Sequence, residues 1–237
     1  MGAQNIPHPM MVGKQPSLWW DADFGGTITP GTGSGVSQFS EVSGNSKVVT
    51  QGTVAAQPLT GVETLNGHNV LTFNGAQSMA AGPLLGLSDY TIFIVAWSDS
   101  LANEGRIIHQ RGSGGTVVDI YQTALGQVTL YDGTSVQGTI TGLISSGVAF
   151  QTTLRLKRNV VNGSTIRFNG RTDVKGDFTF APTGAGSNFV IGNFVYFWDG
   201  AIAPILVYPF YLTTQAVRWI ELYLHNRFGT PWSDSLG

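Results

Sequence analysis

The sequence predicts an all-β protein: a two-sheet antiparallel jelly-roll sandwich with one C-terminal α-helix. Three observations predict it. Runs rich in Val, Ile, Thr, Phe and Tyr alternate with Gly, Asn, Ser and Asp turns, at the roughly ten-residue spacing of a sandwich. Glycine supplies 32 of 237 residues, scattered at those turns without the strict period of a fibrous protein. Only one segment, near the end, places apolar residues at helical spacing.

Residues 1–17 contain Pro7, Pro9 and Pro16 and little periodicity. Proline resists helix and central strand, so these residues are expected to form an extended N-terminal arm, and residues 18–237 a single jelly-roll domain with its terminal helix. The clearest strands are predicted at Val70–Phe73, Tyr90–Trp97, Arg106–Gln110, Thr116–Gln122, Gln127–Tyr131, Val136–Thr141, Ala149–Lys157, Thr165–Phe168, Phe189–Ile191 and Ile202–Tyr208. After Thr91 the segment Ile92–Trp97 is apolar on both parities, as a strand buried on both faces should be. Thr153-Leu154-Arg155-Leu156-Lys157 alternates and is expected to keep one wet face. Asn162-Gly163 and Asn169-Gly170 bracket a short strand, and Asp132-Gly133 is a third such dipeptide; Asn-Gly favours the positive-φ pairs of hairpin turns. In the helix, Thr213 or Thr214 can cap residues 213–227. Ala216, Val217, Ile220, Tyr223 and Leu224 make its apolar stripe, and Gly229 and Pro231 end it.

Composition narrows the function. Charged residues are only 11% of the chain, aromatics are another 11%, and net charge is −2. The widest basic cluster is Arg155, Lys157 and Arg158, too little to displace counterions from a nucleic acid. No apolar run approaches the ~20 residues that span a bilayer, so no membrane partner is expected. Cysteine is absent, which excludes disulfides and thiol chemistry. The first ten residues lack a basic region followed by an apolar one, so they do not read as a signal peptide.

Five short motifs in order resemble the laminin-G-like branch of the concanavalin A-like lectin/glucanase superfamily. They are Leu18-Trp19-Trp20-Asp21-Ala22, Leu71-Thr72-Phe73-Asn74-Gly75, Tyr90-Thr91-Ile92-Phe93, Gly200-Ala201-Ile202-Ala203-Pro204-Ile205-Leu206-Val207-Tyr208, and Glu221 to Gly229 on the helix. The resemblance covers residues 17–229. It implies the jelly-roll scaffold, and it transfers no catalytic role, because this fold hosts lectins, hydrolases and structural modules alike.

Chemistry is sparse. Glucanases of that superfamily hold two glutamates on one strand, and retaining hydrolysis needs its carboxyls roughly 5–5.5 Å apart. Here the only glutamates are Glu41, Glu63, Glu104 and Glu221, with no strand pair, so no catalytic residue is assigned and no enzyme expected. His8, His68, His109 and His225 show no zinc spacing; His109, in an apolar strand, reads as structural. Ser113 lacks a nucleophile elbow. Asp21, Asp23, Asp89 and Asp199 could offer oxygen to calcium, but no calcium loop motif is present, so neither metal nor cofactor is expected. An aromatic face flanked by hydrogen-bonding groups suits a sugar, and Trp97, Tyr131, Asp132, Trp198 and Asp199 are the candidate carbohydrate-binding residues.

The expectation from sequence is a non-enzymatic virion surface protein of a tailed bacteriophage, made in the host cytoplasm. A capsid decoration role would partner it with the major capsid protein, other virion proteins and sister subunits in a homo-oligomer. The alternative is a carbohydrate-binding module, or a tail protein binding host-surface glycans.

Overall fold

The computed structural model describes residues 8–233 except 12, 25, 87, 113–114, 132–135, 141–143, 177–185 and 195. The strands, in chain order, begin with β1 (Leu18–Trp20), β2 (Ile28–Pro30), β3 (Val36–Ser40), β4 (Val48–Thr50), β5 (Leu59–Leu65), β6 (His68–Asn74) and β7 (Met79–Ala81). Then come β8 (Tyr90–Ser98), β9 (Gly105–Gly112), β10 (Gly115–Gln122), β11 (Val128–Tyr131), β12 (Val136–Ile140) and β13 (Phe150–Leu156). The last are β14 (Ser164–Phe168), β15 (Arg171–Gly176), β16 (Phe189–Ile191), β17 (Asn193–Phe194), β18 (Tyr196–Phe197) and β19 (Asp199–Tyr208), followed by helix α1 (Thr214–Phe228).

One sheet runs β15-β14-β13-β8-β19-β6-β5, with β1 also paired to β19. The other runs β12-β11-β10-β9-β16-β7-β4-β3-β2. Among the described residues the strand pairings in both are antiparallel, so the predicted jelly-roll sandwich is the observed fold. β8 lies between β13 and β19, the central place its two apolar parities demanded. Tyr90, Ile92, Ile94 and Ala96 face the core between the sheets. Phe93, Val95 and Trp97 face a second apolar layer under α1.

β19 shows the same two-sided burial with an interruption. Its register with β8 shifts between Ile202 and Ile205. Pro204, which cannot donate to a ladder, sits there, where the other neighbour changes from β6 to β1. Ile202, Ile205 and Val207 point into the main core, whereas Ala201, Ala203, Leu206 and Tyr208 point to the helix layer.

The helix is where its pattern placed it. Thr213 accepts a hydrogen bond from the Ala216 amide, and Gly229 closes the C-terminus in the left-handed conformation at φ 66°. Ala216, Val217, Ile220, Leu224 and Phe228 are buried. Asn169-Gly170 forms the positive-φ turn expected between β14 and β15, while at the other dipeptide only Asn162 has positive φ. Asn66-Gly67, between β5 and β6, is a further hairpin of the same kind. Asp132-Gly133 lies outside the described residues.

Two expectations are corrected. β13 has no wet face: all seven of its residues are buried. Its polar parity lies under α1, where Thr153 donates to Glu221 at 2.8 Å and Arg155 to Thr214 at 3.1 Å. The alternation was real, but a helix covers the polar side and meets it with polar groups. The second concerns the arm. Residues 8–17 are not free of the sandwich: Pro9 and Pro16 are buried, the Tyr208 hydroxyl donates to Pro9 O at 3.0 Å, and the His8 ring lies 5.0 Å from that of Trp19. Proline kept this segment out of the sheets, but it did not prevent burial or a short 3-10 turn at Pro9–Met11.

Candidate functional site

Where β8 ends and β19 begins, the chain leaves an open cleft of about 540 Å³. Its walls are Ser98 and the segment that connects β8 to β9, Gln122 at the end of β10, and the aromatic run leading into β19. Two glycines fix that geometry. Gly192 has φ 83°, and a Cβ there would lie 2.4 Å from the Phe73 ring. It lets the chain leave β16 tightly and form the β17–β18 hairpin, closed at its base by Trp198 N donating to Gly192 O at 2.8 Å. Gly200 has φ 138°, and its Cβ would sit 2.2 Å from Trp97 O, so β19 approaches β8 here only because the position is glycine.

Three successive aromatics therefore end in different places. Tyr196 and Phe197, on the hairpin, are 45% and 39% exposed, while Trp198 is fully buried. The exposed pair lines the cleft beside Asp199 and Glu104. The opposite wall is tied by side chains. Ser98 Oγ donates to Ser100 O at 2.6 Å, and Gln122 Nε2 donates to the same oxygen at 2.9 Å. Gln122 is only 1% exposed, yet its Oε1 has no partner among the described residues.

The electrostatics favour an acceptor-rich cleft. Burial first, and then the nearby Asp99 carboxylate, push the Asp199 carboxyl above its ordinary range. Arg106 stands behind the aromatic wall. It pairs with Glu104 at 3.3 Å and donates to Asp119 Oδ2 at 3.2 Å, and its guanidinium lies 4.0 Å from the Tyr121 ring and 5.3 Å from that of Tyr196. Burial raises the Tyr121 hydroxyl pKa more than Arg106 lowers it.

The structure separates the five carbohydrate candidates. Asp199 lines the cleft with an accessible carboxyl. Trp198 lines it only as a buried wall, so it is no stacking platform; the ring belongs to the core. Trp97 is 8% exposed and packs in the helix-side layer. Its edge reaches a different hollow, which also holds Glu63 and Asp99. Tyr131 is half-buried and packs edge-on against Tyr121 at 6.5 Å. Asp132 lies outside the described residues. Sequence reasoning missed Tyr196, Gln122 and Glu104 as neighbours. The signal for Tyr196 was the run Tyr196-Phe197-Trp198, whose members cannot all enter one core. Nothing in the sequence joins Gln122 to it.

The other three calcium candidates, Asp21, Asp23 and Asp89, are engaged elsewhere. Arg227 meets Asp21 at 3.2 Å and Asp23 at 3.0 Å, Asp23 also meets His68 at 2.6 Å, and Asp89 accepts from Arg158 N at 3.0 Å. Burial is the largest influence on Asp21 and raises its pKa despite Arg227. Among the described residues no group of three or more His, Cys, Asp or Glu is placed to hold a metal ion. His109 is buried, 3.5 Å from Asp119.

A scan against protein-family models finds no match, and a search of curated proteins by sequence finds none either. Solved structures do match in shape. A Trypanosoma rangeli sialidase in complex with sialic acid aligns over 90% of this chain at TM-score 0.63 and 12% identity. This chain spans only 33% of that sialidase. Domain 4 of an extracellular arabinanase from Geobacillus stearothermophilus, in complex with arabinotriose, aligns over 86% of this chain and 97% of its own length, at TM-score 0.59 and 16% identity. An α-L-arabinofuranosidase aligns over 82% of this chain and 51% of its own, at TM-score 0.60 and 11% identity. At these identities the likeness is one of fold.

Proposed function

We propose that this chain is a saccharide-binding β-sandwich module that acts without bond cleavage, with the cleft beside Tyr196 as its site. The observation that carries the reading is the cleft itself. Two exposed rings, Tyr196 and Phe197, stand beside the polar groups of Asp199, Glu104 and Gln122. An apolar ring face sets a sugar's plane, and convergent hydrogen-bonding groups fix its hydroxyls. The shared fold with a domain solved with arabinotriose supports the reading by analogy alone. Binding without cleavage is favoured because, of the two carboxyl residues in the described lining, Glu104 and Asp199, Glu104 is drawn to Arg106 at 3.3 Å.

Calorimetric titration with arabino-, galacto- and gluco-oligosaccharides tests this. At least one should bind, and Tyr196→Ala and Phe197→Ala should each cost roughly 1–2 kcal/mol of affinity, five- to thirtyfold. Binding untouched by both changes would move the site elsewhere. New reducing ends from the same panel would make the protein an enzyme.

For the setting, the proposal keeps the virion surface of a tailed bacteriophage, with host-glycan recognition now ahead of capsid cementing. Its support is compositional: no cysteine and an exterior poor in charge. The cementing role drew on a free arm, and Pro9, Met10 and Pro16 of that arm are packed against their own sandwich. Capsid, portal or terminase genes beside this one would support the setting. Neighbouring genes for secreted polysaccharide-degrading enzymes would replace it.

A further inference from the structure

The charged side chains in the described lining of the cleft are carboxyls, and its side-chain donors are neutral: the Ser100 and Tyr196 hydroxyls, the Asn103 amide and the Trp198 indole. Gln122 Nε2 is committed to Ser100 O at 2.9 Å, which fixes the amide's orientation and leaves Oε1 as a buried acceptor without a partner. A buried carbonyl in that state destabilises the protein until something donates to it. The Ser98 hydroxyl already gives its proton to Ser100 O, so it too can only accept. Glu104 and Asp199 add carboxyl groups, and no Lys, Arg or His is among the described lining residues. The guanidinium behind the wall, Arg106, is divided between Glu104 and Asp119. Glu104 and Asp199 in the lining and Asp119 behind it bring three carboxyl groups to this end of the fold against that one guanidinium.

A sugar hydroxyl is a donor and fits such a lining. A sugar carboxylate has no proton to give at neutral pH and meets like charge, which complexes use to reject partners. We infer that the cleft selects uncharged or amino-bearing saccharides and refuses those bearing a carboxylate, with Gln122 Oε1 as the acceptor that fixes one ligand hydroxyl. The inference rests on the saccharide-binding reading and adds the class of sugar and the residue that reads it. It also separates this cleft from what fold likeness to a sialidase would suggest.

The test uses the full chain and four probes in calorimetric titrations: arabinotriose, triacetylchitotriose, 3′-sialyllactose and digalacturonate. At least one uncharged probe should bind ten times more tightly than either acidic one. Gln122→Leu should weaken that probe at least tenfold. If that variant fails to melt cooperatively, Gln122→Met takes its place; it removes the same acceptor with an unbranched, flexible side chain and should weaken the uncharged probe to the same extent. Independently of Gln122, the double change Glu104→Gln with Asp199→Asn removes two charges and should raise affinity for the acidic probes several-fold. Wild-type protein that binds an acidic probe as tightly as the uncharged ones overturns this inference and leaves the saccharide reading standing. Failure of all four probes to bind overturns both.

Discussion

Asp199 holds its carboxyl in a wall that water only partly reaches, with the Asp99 carboxylate nearby, and both effects disfavour its ionised form. The folded protein therefore keeps that proton to a higher pH than the unfolded chain does. The native state binds more protons, so this residue's contribution to stability is fullest at low pH and is lost as pH rises through the carboxylate range. Asp199→Asn, which cannot ionise, should melt above the wild type at pH 7. The gap should close below about pH 4, where both forms are uncharged. A variant that melts no higher at pH 7 would show that Asp199 is not penalised in the fold. The next residue is a sharper case. An alanine at Gly200 puts its Cβ 2.2 Å from Trp97 O at φ 138°, a clash with backbone rather than with a yielding side chain. Gly200→Ala should abolish the cooperative melt or lower its midpoint steeply, because β8 and β19 are central. Part of this was legible in the sequence. Asp199 was singled out as a hydrogen-bonding group flanking an aromatic, and it does line the cleft. Trp198 was singled out as an aromatic beside that carboxyl, but it is buried, and the exposed ring is Tyr196 on the β17–β18 hairpin, an element too short to announce itself by periodicity.

At the scale of the element, α1 covers β8 and β13, and its contact has an apolar and an ionic part. Ala216, Val217, Ile220, Leu224 and Phe228 fill the layer, each of the larger ones contributing roughly 1.5–3 kcal/mol. Beside them Glu221, 1% exposed, accepts from Arg167 Nε at 2.9 Å and from Thr153 at 2.8 Å. Truncation after Tyr208 should leave an insoluble or molten chain. Glu221→Ala strands the Arg167 charge and should cost about 3–5 kcal/mol, read from denaturant melts. Replacing both partners, Arg167→Met with Glu221→Leu, should recover much of that loss. If the double variant is no more stable than the single one, the pair is not what sets the cost. The helix, its cap and its stop were all readable from the sequence, because Thr213, the apolar stripe and Gly229 act locally. That α1 would also roof the polar parity of β13 was not readable: Thr153 and Glu221 are 68 residues apart, and an alternating strand looks the same under water as under a polar helix face.

At the scale of the molecule, β19 joins the cleft to the place where the N-terminal segment docks. Asp199 stands at one end and Tyr208 at the other, about 30 Å away at strand rise. Around Tyr208 the segment 8–17 is held by several unlike contacts. The tyrosine hydroxyl donates to Pro9 O at 3.0 Å, Met10 packs on the helix-side layer, Ser17 N donates to Val207 O at 2.7 Å, and Lys14 lies 4.2 Å from the Phe210 ring centre. Burial pushes the Tyr208 hydroxyl pKa up, so it stays a donor throughout the working pH range. Deletion of residues 1–16 should therefore lower the melting temperature by about 5 °C or more, given that 1 kcal/mol shifts a chain of this size by roughly 2–4 °C. The milder Tyr208→Phe removes one buried hydrogen bond and should cost about 1 kcal/mol. Unchanged melting in both would mean that the segment merely rests on the surface and is available to a neighbouring molecule. Because the docking site and the cleft occupy opposite ends of one rigid strand, the deletion should leave saccharide affinity within about twofold wherever the protein remains folded. A deletion that abolished binding while the melt stayed cooperative would show instead that the two ends of β19 are coupled, and that the cleft depends on what happens at Tyr208.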